Sequence, residues 1–243
     1  MNLEKMKNMK RILLLSLAVL FLSINQSAAF FAEADAFFSA NVSNGLVDYK
    51  GIKANPADLN ALVAEIAEAD IESMTGNQKK AFLINTYNIL VIWSIVQEYP
   101  TGSPLDIDGF FDKKKHNVGG TQMTLSDLET KNIMPTFKDS RLHFALVCAA
   151  IGCPPIINEA YLEDMLEEQL DRQTEAAVNS EKFVEHSTFP ALLKLSQIFE
   201  WYASDFDRDE GTVIKFINKY RSSEIPSNIK IGYTEYDWSL NEQ

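Results

Sequence analysis

The stretch Ala81-Phe-Leu-Ile-Asn-Thr-Tyr-Asn-Ile-Leu-Val-Ile-Trp93 reads as an apolar helix with two amides on the wrong side. Asn85 and Asn88 fall at helical spacing with Phe82, Ile89, Ile92 and Val96, a face that ought to be buried. Each unpaired buried polar group costs about 1 to 3 kcal/mol, so both amides must bond to neighbouring backbone, to each other, or to something held in a cleft. The helix extends from about Asn77 to Glu98 and stops at Pro100.

Toward the N-terminus, Phe30 to Val42 has the spacing of a short helix and Gly45 to Ile52 alternates weakly, as a strand would. Asn55-Pro56 opens another helix, with Leu59, Leu62, Val63 and Ile66 as its buried stripe. Toward the C-terminus, Thr101 to Asp108 is a loop, and Phe110 to Val118, Gly119-Gly120 and Thr121 to Thr124 form a hairpin. Ser126-Asp-Leu-Glu129 is a capping box for a short helix ending near Pro135. Leu142 to Cys148 reads as a buried strand. Glu159 to Val178, Ala191 to Tyr202 and Gly211 to Arg221 are predicted helices, and the tail from Ile229 adds a strand through Ile231, Tyr233 and Tyr236. The expected architecture is one α+β domain, helix-rich, with a small mainly antiparallel sheet.

The first residues carry Lys5, Lys7, Lys10 and Arg11, an apolar run from Ile12 to Ile24, and then Ser27-Ala28-Ala29. That order is the pattern of a cleaved secretory leader, with cleavage expected after Ala29 and a mature domain at 30–243. The run is shorter than the ~20 residues a membrane helix needs, and no later segment reads as a span. The expected location is periplasmic or secreted. Without residues 1–29 the chain keeps 18 basic and 33 acidic side chains, a formal charge of −15, which makes nucleic acid a poor partner.

The two cysteines lie in Arg141-Leu-His-Phe-Ala-Leu-Val-Cys-Ala-Ala-Ile-Gly-Cys-Pro-Pro155. Gly152 and the prolines force a turn there. Outside the cytoplasm a Cys148–Cys153 disulfide is the default, and closing so short a loop would stabilise by about 2 kcal/mol on the chain-entropy model. A thiol nucleophile would instead need a neighbouring imidazole. His143 is the nearest, but a five-residue separation puts it on the face opposite Cys148 if the segment is a strand. A turn at Gly152 could bring Cys153 back to the His143 face.

Cys-x4-Cys is neither a zinc pattern nor a thioredoxin-like one, and His116, His143 and His186 have no helical partners, so no metal and no cofactor is expected. Neither a nucleophile elbow nor a phosphate loop occurs. Among the acids, Glu129 is explained by capping, and Glu200, Asp205 and Asp207 by a solvated helix end. Trp201 and Tyr202 read as a core anchor rather than a platform for sugar stacking.

AFLINTYNILVI, TLSDLE, RLHFALVCAAIGCPP with EAYLEDMLEEQLD, and LSQIFEWYASDF together resemble the DUF547 family, in order and spacing, across roughly residues 75–207. The resemblance implies an exported bacterial protein of uncharacterised activity, since the family is named for its unknown function. Carried over by motif, its characteristic positions are Asn85, Tyr87, Asn88, Glu129, His143, Cys148, Cys153 and Pro154. Papain-like and transglutaminase-like hydrolases offer only a loose analogy, because their cysteine begins the central helix and this helix has none.

Two readings stand. In one, a cleft between the Asn85/Asn88 helix, His143 and the cysteine loop performs hydrolysis or acyl transfer on a small amide or peptide. Cys148 or Cys153 would be the nucleophile, His143 the base, and Asn85 or Asn88 the orienting or oxyanion group. In the other, a noncatalytic binding or scaffold module uses a structural Cys148–Cys153 disulfide. Whether the chain is an enzyme, and its oligomeric state, lie beyond the sequence.

Overall fold

A computed structural model of the chain describes residues 28–188 and 191–243. The expected leader lies almost wholly outside them. Residues 28–41 are helical (α1) and lead through the two-residue strands β1 (Val42–Ser43) and β2 (Leu46–Val47) into α2 (Tyr49–Ala54) and α3 (Ala57–Glu68). The strand predicted over Gly45 to Ile52 is therefore cut short. Asp48 accepts from Gly51 N at 2.7 Å and caps a helix where alternation suggested extension. Asn55 closes α2 rather than opening α3, which starts one residue after Pro56.

The central element is α4 (Gly76–Glu98), buried on every side from Lys80 to Ile92. Helix α1 packs on it through Phe30 and Phe82, rings 4.6 Å apart, and α2, α3 and the segment after the hairpin cover other faces. That hairpin, β3 (Lys115–Val118) with β4 (Thr121–Thr124), turns at Gly119-Gly120. Both turn residues have positive φ, +56° and +79°, which suits glycine and gives the mirror-image turn that follows strand twist.

The capping box falls two residues earlier than expected. Asp127 N donates to Thr124 Oγ1 at 3.0 Å, and the Asp127 carboxylate accepts from Thr124 N. The helical segment runs as α5 (Leu125–Asp127), a π-helical stretch Leu128–Ile133, and α6 (Met134–Phe137). Pro135 has no N–H to continue the α pattern, and the wider π turn precedes it. Glu129, free of capping, sits on that turn.

A 3₁₀ helix, Ser140–Phe144, replaces the first part of the expected strand at Leu142 to Cys148. Asp139 caps it, accepting from Arg141 N at 3.0 Å. Helix α7 (Leu166–Val178) begins seven residues later than Glu159. Gln169 accounts for the delay, since its side chain accepts from Leu162 N and donates to Ala160 O, both at 2.8 Å, holding that stretch extended.

The helix expected over Ala191 to Tyr202 divides. Strand β6 (Ala191–Ser196) pairs antiparallel with β5 (Val184–Thr188) and parallel with β7 (Lys230–Thr234), and α8 (Gln197–Trp201) follows, with Ser196 as its cap. Leu193 and Leu195 are fully buried, two apart, so a strand period was hidden in a leucine-rich run. Helices α9 (Ala203–Glu210) and α10 (Val213–Tyr220) complete a second layer around Phe144, Phe199, Phe206 and Phe216. The described residues form a helix-rich α+β domain with small, mainly antiparallel sheets, three among those residues in place of one. Among the described residues no helix is long and apolar enough to cross a membrane.

Candidate functional site

Asn85 and Asn88 do not face a cleft. Asn85 donates to Tyr161 O at 2.8 Å and accepts from Tyr161 N at 2.9 Å, and Asn88 does the same with Ala145 O and Val147 N, both at 2.9 Å. Each amide pairs with one carbonyl and one N–H of a non-helical stretch, Asn85 with both groups of Tyr161 and Asn88 with the chain just past the Ser140–Phe144 turn. α4 thereby fixes the backbone just ahead of Cys148 and ahead of α7.

The cysteine loop is held from the other side by the C-terminal tail. Ile151 N donates to Ser239 O and Gly152 N to Asp237 O, both at 2.7 Å, and Asn241 N donates to Ala149 O at 3.1 Å. Gly152 is required by close approach: a Cβ there would sit 2.8 Å from the Tyr236 ring and 2.9 Å from Asp237 O. Within the loop, Ala149 takes a left-handed φ of +63°, an uncommon conformation for a residue with a side chain. Cys148 and Cys153 are joined, with sulfurs 2.02 Å apart, and the Tyr236 hydroxyl lies 3.1 Å from each sulfur.

The disulfide forms part of the wall of a cavity of about 340 Å³. His143, Leu146 and Pro154 also line it, and Phe111, Trp201, Tyr236 and Trp238 form a connected aromatic part of its wall. Trp201 is 46% exposed, so the expected core anchor is instead a rim residue. Its ring stands 4.9 Å from Tyr236 and 6.2 Å from Trp238.

Glu129 enters the cavity from the π-helical turn. Tyr87 of α4 donates to its Oε2 at 3.0 Å and Tyr202, between α8 and α9, to its Oε1 at 3.2 Å. Burial and then the Glu129 charge push both phenols above their ordinary range, so they remain donors. Tyr236 is raised as well, chiefly by burial.

His143, on the 3₁₀ helix, points Nε2 at Asp205 Oδ2, 2.8 Å away, and stacks on Tyr202 with ring centroids 3.8 Å apart. The His143 hydrogen bond is the main reason that Asp205 lies below its usual carboxylate range, with Arg208 adding to it at 2.7 Å. A carboxylate accepting from Nε2–H fixes the tautomer and leaves Nδ1 able to take a proton. Asp209, one turn along α9 from Asp205, accepts from Ser140 N at 2.9 Å. The two acids thus grip the start and the middle of the short helix that carries His143.

His143, Cys148 and Cys153 are brought to one cavity, whereas Asn85 and Asn88 do not line it and are paired with backbone. Asp205, set aside as a solvated helix end, is the group the sequence reading missed, while Glu129 was carried over by the family resemblance but read from its neighbours as a cap. The i, i+4 spacing of Asp205 and Asp209 was the available signal for the first. For Glu129 it was the competing Thr124/Asp127 box. Among the described residues no three His, Cys, Asp or Glu side chains come together as a metal site.

Residues 71–176 match the family described as "Protein of unknown function, DUF547", covering α4, the hairpin, Glu129, His143 and both cysteines. A search of curated proteins and of solved structures finds no match.

Proposed function

We propose that this protein is an exported thiol-dependent hydrolase or acyl transferase acting on a small amide or peptide in the Glu129/His143 cavity, with Cys148 as nucleophile. The observation that carries the reading is His143, oriented by Asp205 and lining the same cavity as Cys148. Cys148 is the more accessible of the two sulfur residues, Cys153 being 3% exposed. The basic and apolar pattern of residues 5–24 supports export.

The chemistry starts from the reduced pair. A small dithiol supplies two electrons and two protons, opening the Cys148–Cys153 bond and leaving as a cyclic disulfide. His143 Nδ1 then takes the Cys148 thiol proton as sulfur attacks the substrate carbonyl carbon. The oxyanion is supported by the Tyr236 hydroxyl and by the Cys148 N–H, whose partner in the closed form is Cys153 Sγ at 2.9 Å. The imidazolium returns its proton to the leaving amine, and a thioester remains. Water, deprotonated by His143, or an acceptor amine releases the acyl group and restores the thiol.

A second reading, a noncatalytic binding module, is favoured by two observations: the sulfurs are bonded, and both asparagines are already paired with backbone. Iodoacetamide labelling separates the two. After mild dithiol treatment, Cys148 should alkylate at neutral pH at least about tenfold faster than a free cysteine-containing peptide, and His143→Ala should abolish that advantage. Equal rates for Cys148 and the peptide, or a pair that opens only on denaturation, would leave the binding module as the function.

A further inference from the structure

Glu129 is the one carboxylate lining the cavity, and no lysine or arginine lines it among the described residues. Its hydrogen bonds come from two neutral phenols. The Nε2 of His143 is taken by Asp205, and Asp205 is itself shared with Arg208. A half-buried carboxylate with two phenol donors still has about two of its four acceptor sites unused. Trp201, Tyr236 and Trp238 line the same cavity, with neighbouring centroids 4.7 to 4.9 Å apart where each indole meets Tyr236. A negative charge without a cation, walled by aromatic rings, is the complement of an organic cation.

We propose that this cavity binds the ammonium group of an alkylamine, which Glu129 neutralises while Trp201 and Trp238 cover its carbon chain. The inference rests on the reading of this cavity as the substrate site and deepens it: the amide or peptide cleaved there carries a free amine near the scissile bond. A primary ammonium can use the unused carboxylate sites, whereas a quaternary one can only approach the rings and the charge.

The test uses the full mature chain in its oxidised form, where no thiol chemistry competes. Tryptophan fluorescence is followed while n-butylammonium, tetramethylammonium, n-butanol or butyrate is titrated. Saturable binding of n-butylammonium at least about tenfold tighter than n-butanol, with butyrate silent, is the expected result, since a single charge-assisted pair supplies that much. Glu129→Gln should remove the preference over n-butanol. Trp201→Ala, at a half-exposed position, should weaken butylammonium by roughly two- to fivefold.

Tetramethylammonium binding as tightly as n-butylammonium would overturn the hydrogen-bonded role of Glu129. Equal affinity for n-butylammonium and n-butanol, or no saturable binding, would overturn the proposal outright. Because iodoacetamide labelling of the reduced protein is read separately, loss of thiol reactivity with ammonium binding intact would remove the catalytic reading alone. The reverse result would remove only the ammonium site.

Discussion

The amide of Asn88 offers Ala145 and Val147 what a neighbouring strand would offer, one acceptor and one donor, and so braces the backbone just ahead of Cys148. Replacing it by leucine keeps the volume but leaves a buried N–H and C=O without partners. Asn88→Leu should cost about 3 kcal/mol in urea unfolding. The sequence stated the problem, a buried amide needing partners, but its partners lie 57 residues or more away along the chain. His116 makes a similar point through protonation. It is buried beside Trp93 and 3.5 Å from Ser94 Oγ, and burial, with a smaller push from Lys114, lowers its pKa to about 4. Above pH 6.5 the ring is neutral in both folded and unfolded chains. Between pH 6.5 and about 4 only the unfolded chain takes up the proton, so stability falls as pH falls through that window. His116→Gln should flatten this part of the pH–stability curve measured by thermal melting.

At the scale of elements, the site is a junction of short pieces whose own propensities are weak. The 3₁₀ helix at Ser140–Phe144 is held by Arg141, paired with Asp139 at 2.9 and 2.7 Å, and by the two α9 carboxylates. A run such as Leu142 to Val147 is too short for periodicity to separate a strand from a turn of helix, so those remote contacts decided it. The same ambiguity turned the leucine-rich start of Ala191 to Tyr202 into β6, where β5 and β7 supply hydrogen bonds on both edges. By contrast α10 and the Gly119-Gly120 hairpin were legible because cap, turn residues and apolar period agree locally, and α4 because its apolar run is long and stops before Pro100. The cysteine loop is an element set by clearance. Gly152→Ala would press a methyl group into the Tyr236 ring and the Asp237 carbonyl, with an expected cost of about 1 to 3 kcal/mol in thermal unfolding. It should also shift the tryptophan emission, because Tyr236 touches both cavity indoles.

Across the whole molecule, the C-terminal tail acts as a clasp. Leu240 N bonds to Gly102 O, Asn241 N to Ala149 O, Val47 N to Asn241 O and Gln243 N to Val47 O, while the Tyr49 hydroxyl donates to Asn241 Oδ1 at 2.7 Å. One extended segment therefore ties the N-terminal hairpin, the loop after α4 and the cysteine loop together. Removing residues 239–243 should lower the melting temperature by about 10 °C or more, at roughly 1 kcal/mol for each bond lost. It should also free Trp238 from its place in the cavity wall, which its fluorescence would report. The amino-acid sequence by itself determined the helix-rich α+β class, the long apolar helix, the hairpin and the position of the cysteine loop, because these depend on contacts within a few residues. Only the tertiary structure decided that Asn85 and Asn88 brace backbone, that Glu129 lines the cavity while Asp205 holds His143 beside it, and that the last residues clasp the cysteine loop. Those roles depend on which distant donor or charge each side chain meets, and local patterning carries no record of that.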